Sequence, residues 1–290
     1  MRTASGNRAA AGKAPGSASH VAPDGVPDEM TLKQRYDSVR ERIAAAARRS
    51  GRRPEDVVLV AVTKFASMDQ IRELIKLGHI DFGENRVQHL VQRAAQVDEY
   101  LHRHRQMPGS GEPDLPERVR WHMIGHLQRN KVRKVMSLVR LVHSVDSLRL
   151  AEEMHGYAAR IEEPVEVLVQ VNTSGERSKF GIAPAAAVHL IEQIESMLSL
   201  RVRGLMCMAP LVDTPEQARP TFQRCRELFE EIRRSAPGGV SRERFNILSM
   251  GMTSDFEVAI ECGANIVRVG SAIFSEREVE EEPAEPDSEA

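Results

Sequence analysis

Hydrophobic positions along the chain keep two rhythms in turn. Leu32, Tyr36, Val39 and Ile43 step by four, three and four, which predicts an amphipathic helix ending near Gly51. Val57 to Thr63 then runs uncharged and rich in β-branched residues as far as Lys64. That length is too short for a membrane span and fits a strand buried on both faces. Ser67, with Gln70 three residues on, is a capping-box helix start, so Lys64 falls where a buried strand passes into a helix. The alternation continues. Strands are predicted at 80–83, 120–125, 141–145, 165–171, 202–208, 245–249 and 266–269. Helices are predicted at 68–77, 84–98, 128–136, around 190–198 and after Thr214 and Ser254, with Asp146 and the box Ser254-Asp255-Phe256-Glu257 as further caps. Strand and helix alternating eight times over about 220 residues is the count of a single (β/α)8 TIM barrel. A doubly wound open sheet is the competing arrangement, but its GxGxxG fingerprint is absent.

The flanks differ from this body. Residues 1–29 are rich in Ala, Gly, Ser and Pro and are expected to be a disordered extension; 278–290 reads as an acidic disordered tail. The barrel would occupy 30–277, interrupted by a Pro- and Gly-rich surface loop at 104–118. The basic positions Arg129, Lys131, Arg133 and Lys134 read as a solvated helix face.

Charge and cysteine content narrow the function classes. A net charge of −2 gives no electrostatic case for nucleic acid or an acidic membrane surface. Three scattered cysteines, with no CxxC pair, fit a reducing cytoplasm better than a disulfide framework or a zinc site. His122, His126 and His143 come from different elements with no i, i+4 pair, so a metal centre is not expected.

In a barrel, the C-terminal strand ends share one mouth. They would bring together Lys64, Glu84, Asn85, His122, His126, His143, Ser144, Asn172, Thr173, Met206, Met208, Ser249 to Thr253 and Arg268 to Ser271. Gly251 and Gly270 allow close backbone approach, and Thr253, Ser254 and Ser271 add hydroxyls. Loops after strands seven and eight are the recurrent phosphate site of this fold. A lysine at such a mouth either reaches solvent or, desolvated and facing Arg268, attacks an aldehyde. Phosphate anchor, lysine and arginine together suggest pyridoxal 5′-phosphate; they fit a Schiff-base aldolase acting on a sugar phosphate equally well.

Longer motifs bear on that choice. Val62-Thr63-Lys64, Phe82-Gly83-Glu84-Asn85-Arg86-Val87-Gln88, Trp121 to Lys131, His143-Ser144-Val145-Asp146 and Lys179-Phe180-Gly181-Ile182 are five of them. Gly204 to Pro210, Ser249-Met250-Gly251-Met252 and Arg268-Val269-Gly270-Ser271 are the rest. In order and spacing they resemble the pyridoxal phosphate homeostasis protein family over 30–277. The resemblance implies a single barrel of fold type III, related to the N-terminal domain of alanine racemase. It implies a cofactor held covalently on Lys64 as an internal aldimine, with Arg268 facing the pyridine nitrogen. Ser249, Gly251, Thr253, Gly270 and Ser271 would hold the phosphate, and Asn85, His122, Met206 and Met208 would line the ring pocket. Threonine at 253 and serine at 271 exchange the commoner residues but keep a hydroxyl.

The resemblance implies a role in intracellular homeostasis of the cofactor, which the protein would hold and buffer or deliver, with apo forms of cofactor-dependent enzymes as candidate recipients. A monomer or weak dimer is expected. The enzyme alternative is a weak amino-acid racemase or decarboxylase. Racemisation needs a base on each face of the substrate carbon, typically a lysine and a tyrosine. Tyr36, Tyr100 and Tyr157 all fall in predicted helices, and no second domain is expected after Phe274. An arginine at the ring nitrogen also weakens the cofactor as an electron sink. Holding is therefore favoured over catalysis. A regulatory partner-binding module is the third class.

Overall fold

The computed structural model describes residues 30–106, 114–176 and 180–275. The expected N-terminal extension, the acidic tail and the centre of the 104–118 loop lie outside the described residues. The order is α1 (Leu32–Arg49), β1 (Val58–Val62), α2 (Met68–Lys76), β2 (Asp81–Glu84), α3 (Val87–Gln106), β3 (Arg120–Met123), α4 (Val132–Val135) and β4 (Val139–Val145). There follow α5 (Leu148–Ile161), β5 (Val165–Gln170), α6 (Pro184–Glu195), β6 (Leu200–Met206), α7 (Arg219–Ser235), β7 (Ile247–Ser249), α8 (Phe256–Glu261), β8 (Ile266–Val269) and α9 (Ser271–Phe274). The strands are parallel and close in sequence order, β8 returning to β1 with Arg268 opposite Val60.

Period-two alternation divides the core into two compartments. Leu59, Ala61, Val167, Val169, Leu205, Leu248 and Val267 point outward and pack with the helices. Val60, Leu141, Leu168, Met206 and Ile266 fill the barrel interior. The strands are apolar on both faces because each face meets a different packed layer.

Local boundaries depart from the sequence expectation where polar side chains decide them. The capping box at Ser67 and Gln70 forms, and Gln70 also donates to the Phe274 carbonyl, tying α2 to α9. Ser147, not Asp146, caps α5. No side-chain cap forms at α8; Asp255 instead accepts from the Met252 backbone N–H at 2.7 Å. The basic stretch after Gln128 is a short 3-10 turn and one turn of α4 rather than a longer helix. The short helix α9 was not anticipated.

No helix among the described residues is long and apolar enough to cross a membrane.

Candidate functional site

Lys64 lies on a turn just past β1. Thr63 N–H donates to the Gly83 carbonyl at 3.0 Å, and Ala66 N–H returns to the Thr63 carbonyl at 2.9 Å. Arg93, reaching in from α3, donates to the Thr63 carbonyl, to the Ala66 carbonyl at 3.0 Å and to the Glu84 carboxylate. Glu84 is fully buried and also accepts from the Thr63 hydroxyl. The turn is pinned on both sides, which limits the positions open to the Lys64 side chain. Its Nζ stands 4.3 Å from the centroid of the Phe65 ring, a cation–π distance.

The loops after β7 and β8 meet across from it. Gly270 N–H donates to Thr253 Oγ1 at 3.4 Å and Ser271 Oγ lies 3.2 Å from the same oxygen. The two predicted glycines differ in kind. Gly251 has φ +89, and a Cβ there would come within 2.6 Å of Ala259 Cβ and 2.7 Å of Phe256 Cα. It lets its loop settle on α8. Gly270 borders open space and packs against β1, where a Cβ would meet the Val62 carbonyl oxygen at 3.1 Å.

Arg268 is almost wholly buried, and burial lowers its pKa. It donates to Ser249 Oγ at 2.6 Å and to the Cys207 carbonyl at 3.0 Å. His143 approaches the same serine with Nδ1 at 3.0 Å, and His122 approaches His143 at 3.0 Å.

A cavity of about 660 Å³ opens at the C-terminal mouth. Lys64, Asn85, Met208, Thr253, Arg268, Gly270 and Ser271 line it, as does Ser254. No carboxylate is among the described lining residues. Four expected site residues lie elsewhere. Met206 belongs to the apolar layer inside the barrel. Ser249 is fully buried behind Arg268, Gly251 is buried against α8, and His122 is engaged with Asp81 and His143; none lines the cavity. The offset has a geometric origin, because β3 reaches cavity level only past its last residue, at Ile124, Gly125 and His126.

Residues 35–278 match the family described as alanine racemase, N-terminal domain. A pyridoxal phosphate homeostasis protein of Aquifex aeolicus (strain VF5) is 37% identical over 248 residues, covering 86% of this chain and 99% of its own. The chain belongs to the pyridoxal phosphate homeostasis protein family. Among solved structures, a Bifidobacterium adolescentis protein aligns with a TM-score of 0.74 at 35% identity, over 84% of this chain and 94% of that one. PipY of Synechococcus elongatus PCC7942, solved with PLP bound, aligns with a TM-score of 0.68 at 31% identity, over 84% and 100%.

Within this family barrel the structure adds residues that sequence reasoning passed over. Phe65, Ile124, Gln170, Phe180 and Leu211 complete the wall, and Phe180 and Leu211 form an exposed apolar rim with Met252, already expected at the mouth. His126 stacks on Phe180 with centroids 4.8 Å apart, and its Nδ1 is 3.6 Å from Asp146. Burial raises the pKa of Asp146, and His126 opposes that shift. Arg93 was invisible as a site residue because nothing local to α3 marks it. The one hint was the buried-strand position of Glu84, since a buried carboxylate requires a cationic partner. Asn172 and Thr173 stay in the β5 loop outside the cavity, and Ser144 is fully buried.

Proposed function

We propose that this protein binds pyridoxal 5′-phosphate covalently through Lys64, holds it without efficient turnover, and releases it for use elsewhere. The observation that carries the reading is one cavity wall offering a lysine amine, an arginine and a hydroxyl-bearing double loop, with no carboxylate among its described residues. That donor set suits an anionic aldehyde. A further feature fits the group: Asn85 Oδ1 is buried at the wall with no hydrogen-bond partner among the described residues, an acceptor available to a ring hydroxyl.

Each side chain then has a task. Lys64 Nζ would hold the cofactor through a C=N bond to its aldehyde carbon, water being released. Thr253, Ser254, Ser271 and the Gly270 backbone, which line the cavity, would hold the phosphate end. Arg268, already donating to Ser249 and Cys207, offers only donors to the cavity, which suits an unprotonated ring nitrogen. Bound there, the group would supply a weak electron sink. Lys64 is the one amine base among the described residues of the wall and none of the described tyrosines lines it, so the lysine–tyrosine pair typical of racemisation is not assembled there. The free thiols Cys207, Cys225 and Cys262 suit a reducing compartment such as the cytoplasm.

Absorbance spectra test the reading. The wild-type protein mixed with the cofactor should develop a new long-wavelength band and keep the cofactor through borohydride reduction and denaturation. Lys64→Ala should lose both while remaining folded. A wild-type protein that stays colourless and retains no cofactor would overturn it. Product formation from a panel of amino acids would favour the enzyme alternative.

A further inference from the structure

Four side chains that the cavity does not need as walls form a continuous line through the barrel interior. Asp81 opens β2, at the N-terminal end of the barrel, and Ser249 closes β7 at the mouth. Between them His122 Nε2 is 3.0 Å from Asp81 Oδ1, His122 Nδ1 is 3.0 Å from His143 Nε2, and His143 Nδ1 is 3.0 Å from Ser249 Oγ. All four are buried. Arg268 joins at the upper end and Arg120, donating to Asp81 Oδ2, at the lower.

With both histidine rings neutral, the chain has one self-consistent direction. Arg268 can only donate, so Ser249 Oγ receives from it. The Ser249 hydroxyl proton then has His143 Nδ1 as its acceptor. Burial drives the His143 pKa well down, so its ring is neutral and carries its single proton on Nε2. That proton points at His122 Nδ1, which leaves the His122 proton on Nε2, facing Asp81. Burial raises the Asp81 pKa, but the bonds from His122 and Arg120 outweigh it and leave the pKa lowered, so the terminus is an acceptor. Every bond points from Arg268 toward Asp81, and no donor faces a donor. Of the groups that act electrostatically on the two ends, Arg120 and His122 act on Asp81, and Cys207, Asp255 and Cys225 on Arg268.

We propose that Asp81, His122 and His143 are positioning residues, which through this one-way chain commit Ser249 as an acceptor for Arg268 and so fix the guanidinium that faces the ring nitrogen. The proposal rests on the cofactor reading above. Asp81 sets the polarity: an amide in its place can donate as readily as accept, so the direction of the chain is no longer imposed.

The experiment has a cofactor-free arm. Nitrogen-15 NMR of the histidine rings in the unloaded wild-type protein should show His122 and His143 as Nε2–H tautomers. In Asp81→Asn those tautomers should become mixed. With cofactor added, the same variant should bind about tenfold more weakly, the equivalent of one hydrogen bond. It should still form the covalent band, because Lys64 is untouched, but with its pH titration displaced. Nδ1–H tautomers in the wild type would overturn the proposal, even if Asp81→Asn fails to fold. So would an Asp81→Asn protein whose tautomers, affinity and band titration match the wild type. A colourless wild type with Nε2–H tautomers would defeat the cofactor reading, and with it the role assigned to Arg268, while leaving the chain's direction established.

Discussion

At the scale of single residues, the turn that presents Lys64 depends on one ion pair. Glu84 is fully buried, and its partner Arg93 also holds the carbonyls of Thr63 and Ala66. Such a pair adds little over an apolar replacement, yet removing one member leaves a buried charge without compensation. Arg93→Met should therefore lower unfolding stability by about 3–5 kcal/mol, read from urea midpoints. Adding Glu84→Gln should restore much of it, since glutamine still accepts from the Thr63 hydroxyl. An additive loss in the double variant would show that packing of the arginine stem, not charge, sets the cost. The restored double variant should bind the cofactor more slowly than wild type, because the Lys64 turn has lost two of its anchors.

At the scale of elements, the two loop glycines separate stability from binding. Gly251→Ala places a side chain in the left-handed region and against α8, so it should cost about 3 kcal/mol or more in thermal unfolding. Gly270 has a negative φ, −122, outside the left-handed region, and its nearest obstacle is the Val62 carbonyl. Gly270→Ala should cost less stability than Gly251→Ala and more affinity for the cofactor, which equilibrium binding beside differential scanning calorimetry would resolve. Equal losses of stability in the two variants would contradict the assignment. The glycines also mark how far sequence could reach. Long uncharged runs such as Val57 to Val62 announced strands covered on both faces, and the count of strand and helix gave the barrel. Chain position also told which end of each strand faces the mouth. It could not tell the height of each residue along the barrel axis, because neighbouring strands are staggered by the shear. His122 was thus expected on the wall and lies among interior groups, while Ile124 to His126 occupy the wall. Nor could it find Arg93, whose role depends on its side chain reaching from α3 to Glu84 and to the turn after β1.

At the scale of the whole molecule, burial of neutral histidines sets a pH dependence. His79 Nε2–H donates to the Asp81 carbonyl at 2.7 Å, and Nδ1 accepts from the Tyr36 hydroxyl at 3.2 Å. The neutral ring is fully satisfied, and burial pushes its pKa down to about 4. His143 is shifted in the same direction. An unfolded chain takes up these protons below about pH 6.5, and the folded chain does not until far lower, so the unfolded state binds more protons throughout that window. Stability is thus full above about pH 6.5 and falls as the pH drops toward about 4, by about 2 kcal/mol from His79 at about pH 5, with a loss in the same direction from His143. Asp81, whose folded pKa is lowered, adds a further loss only below the ordinary carboxylate range. Urea midpoints should accordingly be flat above neutrality and decline between about pH 6.5 and 5, and His79→Gln should remove its share of that slope. A midpoint that holds constant across this interval would mean that the rings become charged in place, which would also undo the single direction assigned to the chain from Arg268 to Asp81.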